Sequence, residues 1–289
     1  MFRIKPLLLI LATCLATLTP GICATAGADA LEQIIASRSE EDRARDAARH
    51  PTETLRFFQV TPGLTVAEGL PGSGWYTRIL APYLGGTGTL YGVSYADRMW
   101  PLFSIATEEW IKSRKERAKN FPDAVRDYTD NGITTRAFTF ATVPPAIAGT
   151  VDRVLLIRAL HNLHRFESQA GTLNQAMVAV RGMLKGDGLV GVVQHRAPES
   201  ATDEWADGNN GYMKQSAVID IFEKAGFELV ASSEINANPK DQPGPGDNVW
   251  RLPPALRTSK DNPDLRAAMV AIGETDRMTL LFRKADQAK

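Results

Sequence analysis

Glu68-Gly69-Leu70-Pro71-Gly72-Ser73-Gly74-Trp75-Tyr76 joins an apolar run, Leu64–Gly69, to an amphipathic one, Trp75–Leu84. A short strand that enters a helix through a glycine turn is the opening unit of an open α/β sheet, where ligands bind beyond the carboxyl ends of the strands. Gly72 and Gly74 let the backbone bend sharply and leave room for a ligand to approach. The amides of Trp75 and Tyr76 are expected to point into that space. Glu68 ends the strand, where it can hold the turn.

Outward from this turn the pattern alternates. Toward the C-terminus, strands are expected at Thr89–Ser94, Ile133–Phe140, Val151–Ile157, Leu189–Gln194, Phe227–Ser232 and Met278–Arg283. Helices are expected at Trp100–Asn120, closed by Pro122, and at Ser168–Leu184 and Ser216–Ala225. Val151–Ile157 is almost continuously apolar, as a strand covered on both faces should be. Pro198–Gly211 reads as a polar loop over a site, and 236–254 as irregular. Toward the N-terminus, Ser39-Glu40-Glu41-Asp42 is a capping box opening a charged helix through Arg49, and Pro51 starts the next, Thr52–Gln59. The expected whole is a Rossmann-like α/β domain over 61–289, preceded by helices in 27–60. Its seven-stranded, mostly parallel sheet has helices on both faces and an antiparallel last strand.

Two cofactor classes use such a turn. A dinucleotide requires G-x-G-x-x-G, but after Gly72-Ser73-Gly74 the third position is Thr77. S-adenosylmethionine has no pyrophosphate. It requires only the glycine turn and polar partners at the end of the second strand, where Ser94, Tyr95 and Asp97 stand.

The motif Val66-x-Glu68-x-x-Pro71-Gly72-x-Gly74-Trp75-Tyr76-Thr77, with Ile79-Leu80-Ala81-Pro82-Tyr83-Leu84-Gly85, resembles a bacterial group of exported class I S-adenosylmethionine methyltransferases. Arg49-His50-Pro51, Arg158, His161-Asn162, Gln194-His195-Arg196, Asn238-Pro239 and Thr275-Asp276-Arg277 share that likeness, which spans roughly residues 38–284. The resemblance implies the class I methyltransferase fold and S-adenosylmethionine as cofactor; it implies no substrate. The chain departs from the usual pattern in three places. Leu70 stands where the first glycine is expected, Asp97 lies beyond the end of the second strand, and no acidic residue follows the third strand at Phe138–Ala141.

The candidate cofactor residues are Glu68, Gly72, Ser73, Gly74, Tyr76, Tyr95 and Arg158. Arg158 can anchor the cofactor's carboxylate or a substrate anion, unless it merely pairs with Asp152 or Glu167. His161 and His195, each after a strand, are the candidate bases, because an imidazole titrating near neutrality suits proton removal from an acceptor. The acceptor would sit between them and the 198–211 loop. A rival reading has His161, His164 and His195 holding a metal with Glu68 or Asp152.

Residues 1–26 read as a secretory signal: Arg3 and Lys5, an apolar Leu7–Leu18, a Pro20-Gly21 break and Ala24-Thr25-Ala26 at the cleavage positions. The apolar run is about a dozen residues, short of the roughly 20 that span a bilayer, so no stable membrane insertion is expected. Losing Arg3 and Lys5 from 33 basic residues leaves 31 against 33 acidic, a net charge of about −2. That balance offers no footprint for nucleic acid. Cys14 and Cys23 depart with the signal, leaving neither disulfide nor thiolate. The leading expectation is methyl transfer to a small-molecule acceptor in a periplasmic or secreted protein. Export to a compartment without an expected supply of S-adenosylmethionine favours the alternative, an exported binding protein that keeps the fold.

Overall fold

The computed structural model describes residues 22–286. The expected signal segment falls, through residue 21, outside the described residues. A helix, Ile22–Ser37, begins ahead of the predicted cleavage point. The strands are β1 (Thr65–Gly69), β2 (Thr89–Ser94), β3 (Thr134–Thr139), β4 (Val151–Ile157), β5 (Leu184–Ala197), β6 (Met213–Lys214), β7 (Phe227–Ser233) and β8 (Arg277–Lys284). Their order across the sheet is β3-β2-β1-β4-β5-β8-β7, and the two-residue β6 pairs with β5 off this path. Only β8 runs against its neighbours. The expected seven-stranded topology is therefore the one observed, with β6 added.

The sheet alternates its side chains between two cores, as a strand covered on both faces must. Val154, Leu156, Val190, Val192, Leu280 and Phe282 join the cluster containing Met177, Val180 and Phe222. Their neighbours Leu155, Leu189, Val193 and Leu281 face the other way, against Leu31, Leu55, Phe58 and Ile79. The N-terminal helices are thus part of the second layer. Phe58 lies so close to the sheet that a Cβ on Gly191 would sit 2.5 Å from its Cγ. Gly191→Val is expected to push that ring away and to destabilise the fold by about 2 kcal/mol. An unchanged urea midpoint would refute that packing.

Several helix expectations are corrected. The 40–49 helix is two turns, Glu40–Arg43 and Asp46–Arg49, although Ser39 caps the first as expected, accepting from the Asp42 amide at 3.2 Å. Trp100–Asn120 is not one helix. Pro101 lies in a 3-10 turn, Asp97–Leu102, and Thr107 then caps Glu108–Lys119 by accepting from the Trp110 amide. Pro122 does not close a helix but sits in the first turn of another, Phe121–Tyr128, where a missing N–H costs nothing. Gly171, left-handed at φ 57°, divides Glu167–Ala170 from Thr172–Met183. The helix Pro263–Ile272, capped by Asn262, falls in a stretch to which no element was assigned.

Candidate active-site cavity

The chain runs outward through β1, β2 and β3, then returns to place β4 beside β1. That reversal is the switch point at which open α/β sheets bind ligands. Leu70 and Arg158, the residues just beyond β1 and β4, both turn left-handed, at φ 53° and 55°. Each amide still donates to the next strand, Leu70 to the Val93 carbonyl at 2.8 Å and Arg158 to the Val193 carbonyl at 2.6 Å. This conformation is unfavourable for residues with a Cβ, by about 1 kcal/mol or more each. Leu70, where the resemblance implies a glycine, thus adopts the left-handed backbone that glycine takes most easily.

The two strand ends open into a cavity of about 860 Å³, within the range of small-molecule sites. Its walls include the whole turn Glu68–Thr77, Ser94 and Tyr95 at the end of β2, Arg158 and His161 after β4, and His195 on β5. All nine sequence-derived site residues therefore border one space. Leu70 lines that space without closing it. The Trp75 ring is packed against the Arg38 and Arg49 guanidiniums, 4.8 and 4.7 Å from its centroid.

The turn is clamped from the N-terminal helices. Arg78 grips both Asp42 oxygens at 2.6 Å and donates to the Ser73 carbonyl at 2.9 Å. The Trp75 indole donates to the Asp42 carbonyl at 3.1 Å. Tyr76 is buried beside the cavity, but its hydroxyl donates to the Arg49 carbonyl at 3.4 Å. Tyr95 packs edge-on against Trp100 and Phe103, and burial pushes its phenol above the ordinary range.

Glu68 is 5% exposed, and Thr77 Oγ1 donates to its Oε2 at 2.7 Å. Burial pushes its carboxyl up to about 7, against the opposing effects of the Thr77 hydrogen bond and the Arg78 charge.

His161 and His195 meet edge to face, with ring centroids 5.2 Å apart. The Gln194 amide donates to the carbonyls of Gly211, at 2.8 Å, and His195, at 3.4 Å. Its Oε1 is therefore the atom facing His161, 3.2 Å from Nδ1. Nδ1 must then carry the proton, which leaves the lone pair of Nε2 as the base. Burial pushes the His161 imidazole down to about 4, with the Arg158 and Arg165 charges adding to it against the Gln194 hydrogen bond. His195, 2.5 Å from Thr275 Oγ1 through Nδ1, is held well below the usual range by burial and by His161 and Arg158. Both rings are therefore uncharged at neutral pH, and neither titrates near neutrality as the sequence led us to expect: each offers a free lone pair, but a weakly basic one.

Other expectations are corrected. His164 is not part of this pair: its Nδ1 meets the Asp207 carbonyl at 2.6 Å, and it lies off the cavity wall. Among the described residues no three His, Cys, Asp or Glu side chains converge to hold a metal. The 198–211 loop does not line the cavity, because Trp205 stacks on Tyr212 at 5.2 Å; Trp250 and Pro254 from the irregular 236–254 segment take its place. Asp97 pairs with Lys115 at 3.0 Å, exposed and away from the cavity. Arg158 does not pair with Asp152 or Glu167, which instead accept from Thr65 and Lys185, and from the Leu173 amide.

The arginines of the wall were the main omission. Arg45, Arg49, Arg114 and Arg117 border the cavity as well. Behind Arg45 and Arg49 stands Glu274, accepting from Arg45 Nε at 3.0 Å, Arg49 Nε at 3.2 Å and Arg277 Nη1 at 3.0 Å. The dense charge of Glu274-Thr275-Asp276-Arg277 ahead of the run Met278–Phe282 was the one local hint of it.

No protein-family model matches the chain, and no curated protein does. Among solved structures it is similar to the [4+2]-cyclase SpnF, with 14% identity and a TM-score of 0.52 over 83% of this chain and 81% of that one. It is also similar to a putative sarcosine dimethylglycine methyltransferase from Galdieria sulphuraria, with 12% identity and a TM-score of 0.50 over 88% and 90% of the two chains. The shared feature is the fold: an α/β, Rossmann-like methyltransferase fold with an antiparallel strand in an otherwise parallel sheet. One of the two carries a cyclase name, so the fold does not itself choose the reaction.

Proposed function

We propose that the protein transfers a methyl group from S-adenosylmethionine to a small-molecule acceptor. The observation that carries this reading is the Glu68–Thr77 turn, which stands open on a cavity of about 860 Å³ at the switch in strand order. The residues fit the cofactor: an unblocked glycine turn, aromatic walls at Tyr95 and Trp110, and a lining guanidinium, Arg158. Glu68, Gly72, Ser73, Gly74, Tyr76 and Tyr95 would hold it, and Arg158 would take either its carboxylate or an anionic group of the acceptor. When bound, the cofactor supplies an electrophilic methyl group to an acceptor in line with it. The chain's own part is positioning, with His161 Nε2 accepting a proton where the acceptor must lose one. Gln194 sets that tautomer.

Calorimetry with S-adenosylmethionine and S-adenosylhomocysteine tests the reading. Micromolar binding is expected. Gly74 sits at φ 79°, and a Cβ there would lie 3.1 Å from the Tyr128 hydroxyl. Gly74→Val should therefore distort the turn and weaken both ligands by about 100-fold or more, with circular dichroism reporting whether the fold is kept. No heat with either ligand would sink the enzyme reading. It would leave the second one, an exported binder, which the absence of any carboxylate beside Ser94 and Tyr95 on the cavity wall favours. Export itself predicts that protein recovered from the cell envelope begins at Gly27; an intact Met1 would refute it.

A further inference from the structure

The cavity is electrically lopsided in a chain whose acidic and basic residues are equal in number. Arg45, Arg49, Arg114, Arg117 and Arg158 line it, and Glu68 is the one carboxylate among the lining residues. Glu274 accepts from three guanidiniums and its charge also reaches Arg158, so one carboxylate is shared among four cations. Arg49 is 2% exposed, yet its Nη1 and Nη2 have no hydrogen-bond partner. Buried N–H groups of a charged fork are costly to leave unmet. S-adenosylmethionine does not correct the imbalance. Its carboxylate offsets one guanidinium, but its ammonium and sulfonium add two positive charges.

We propose that the acceptor is itself an anion, a carboxylate or phosphate ester, seated between Arg49 and Arg158 beside His161 and His195. Guanidinium forks match the paired oxygens of both groups. Arg158 precedes His161 by three residues, so an anion held there keeps the rest of the acceptor against the histidine pair. The inference rests on the methyl-transfer reading for the word acceptor; the anion site itself does not.

The test uses inorganic phosphate and benzoate as probes, titrated by calorimetry into the purified protein and into its S-adenosylhomocysteine complex. Both anions are expected to bind, and to bind the complex within about threefold of the free protein. Arg158→Met should weaken them about tenfold or more. The same variant should melt a few degrees higher in anion-free buffer, roughly 3 °C, because a buried charge that Glu274 only partly offsets against Arg277 and Arg45 has gone. A structural arginine would melt lower when removed. A preference for phosphate names a phosphorylated ligand; a preference for benzoate names a carboxylate. The inference is overturned if neither anion binds, if Arg158→Met binds them unchanged, or if they compete with S-adenosylhomocysteine, which would assign Arg158 to the cofactor's own carboxylate. Should S-adenosylhomocysteine give no heat while the anions bind through Arg158, the anion site stands and methyl transfer falls.

Discussion

Glu274→Gln is expected to lower the unfolding free energy by about 3–5 kcal/mol, the range for removing one partner from a buried ion cluster. The carboxylate is 9% exposed and accepts from Arg45, Arg49 and Arg277 within 3.2 Å. Burial raises its pKa, but the Arg49, Arg277, Arg158 and Arg45 charges outweigh burial and hold it below the ordinary glutamate range. Burial and the Arg158 charge push Arg49 down to about 9 even with Glu274 present. Without that carboxylate the guanidiniums repel one another in a space with little water. Because the folded pKa is depressed, this stability is present above the unfolded value near 4.5 and is lost as pH falls through the folded one. Urea denaturation against pH checks both parts. A wild-type midpoint in the variant, or an unchanged slope below pH 4.5, would remove Glu274 from this role.

Glu68→Gln should act in the opposite direction. Burial raises this carboxyl from 4.5 to about 7. The folded protein therefore holds its proton more tightly than the unfolded chain, and stability falls as pH climbs from 4.5 through 7. A shift of that size corresponds to a ceiling of about 3 kcal/mol. Glutamine keeps an acceptor for the Thr77 hydroxyl and has no charge to bury. The variant is expected to melt roughly 6–10 °C higher at pH 8 and equally at pH 4. S-adenosylhomocysteine, with its cationic amino group, should bind the wild type more tightly as pH rises through 7 and the variant without that gain. A lower melting temperature at pH 8 would show that the carboxylate is stabilising where it stands.

These two glutamates also mark what could be read in advance. Glu68 was legible because it stands at the end of a short strand, four and six residues before Gly72 and Gly74, a pattern contained within a few residues. The same local information placed β2 at Thr89–Ser94 and β4 at Val151–Ile157, and named Ser39 as a cap. Glu274 was not legible, since its partner Arg49 lies 225 positions away. Likewise nothing near Trp205 distinguished it from Trp250, and only the fold shows that the first stacks on Tyr212 while the second faces the cavity.

The amino-acid order by itself determined the alternation of strands and helices, the position of the glycine turn and the antiparallel last strand, because periodicity and backbone preference act over about ten residues. Tertiary structure decided which arginines share a wall, which histidine leaves the pair and which segment roofs the cavity. Those outcomes depend on strand order and on how the N-terminal helices clamp the turn, and long-range packing is encoded in no single stretch of chain.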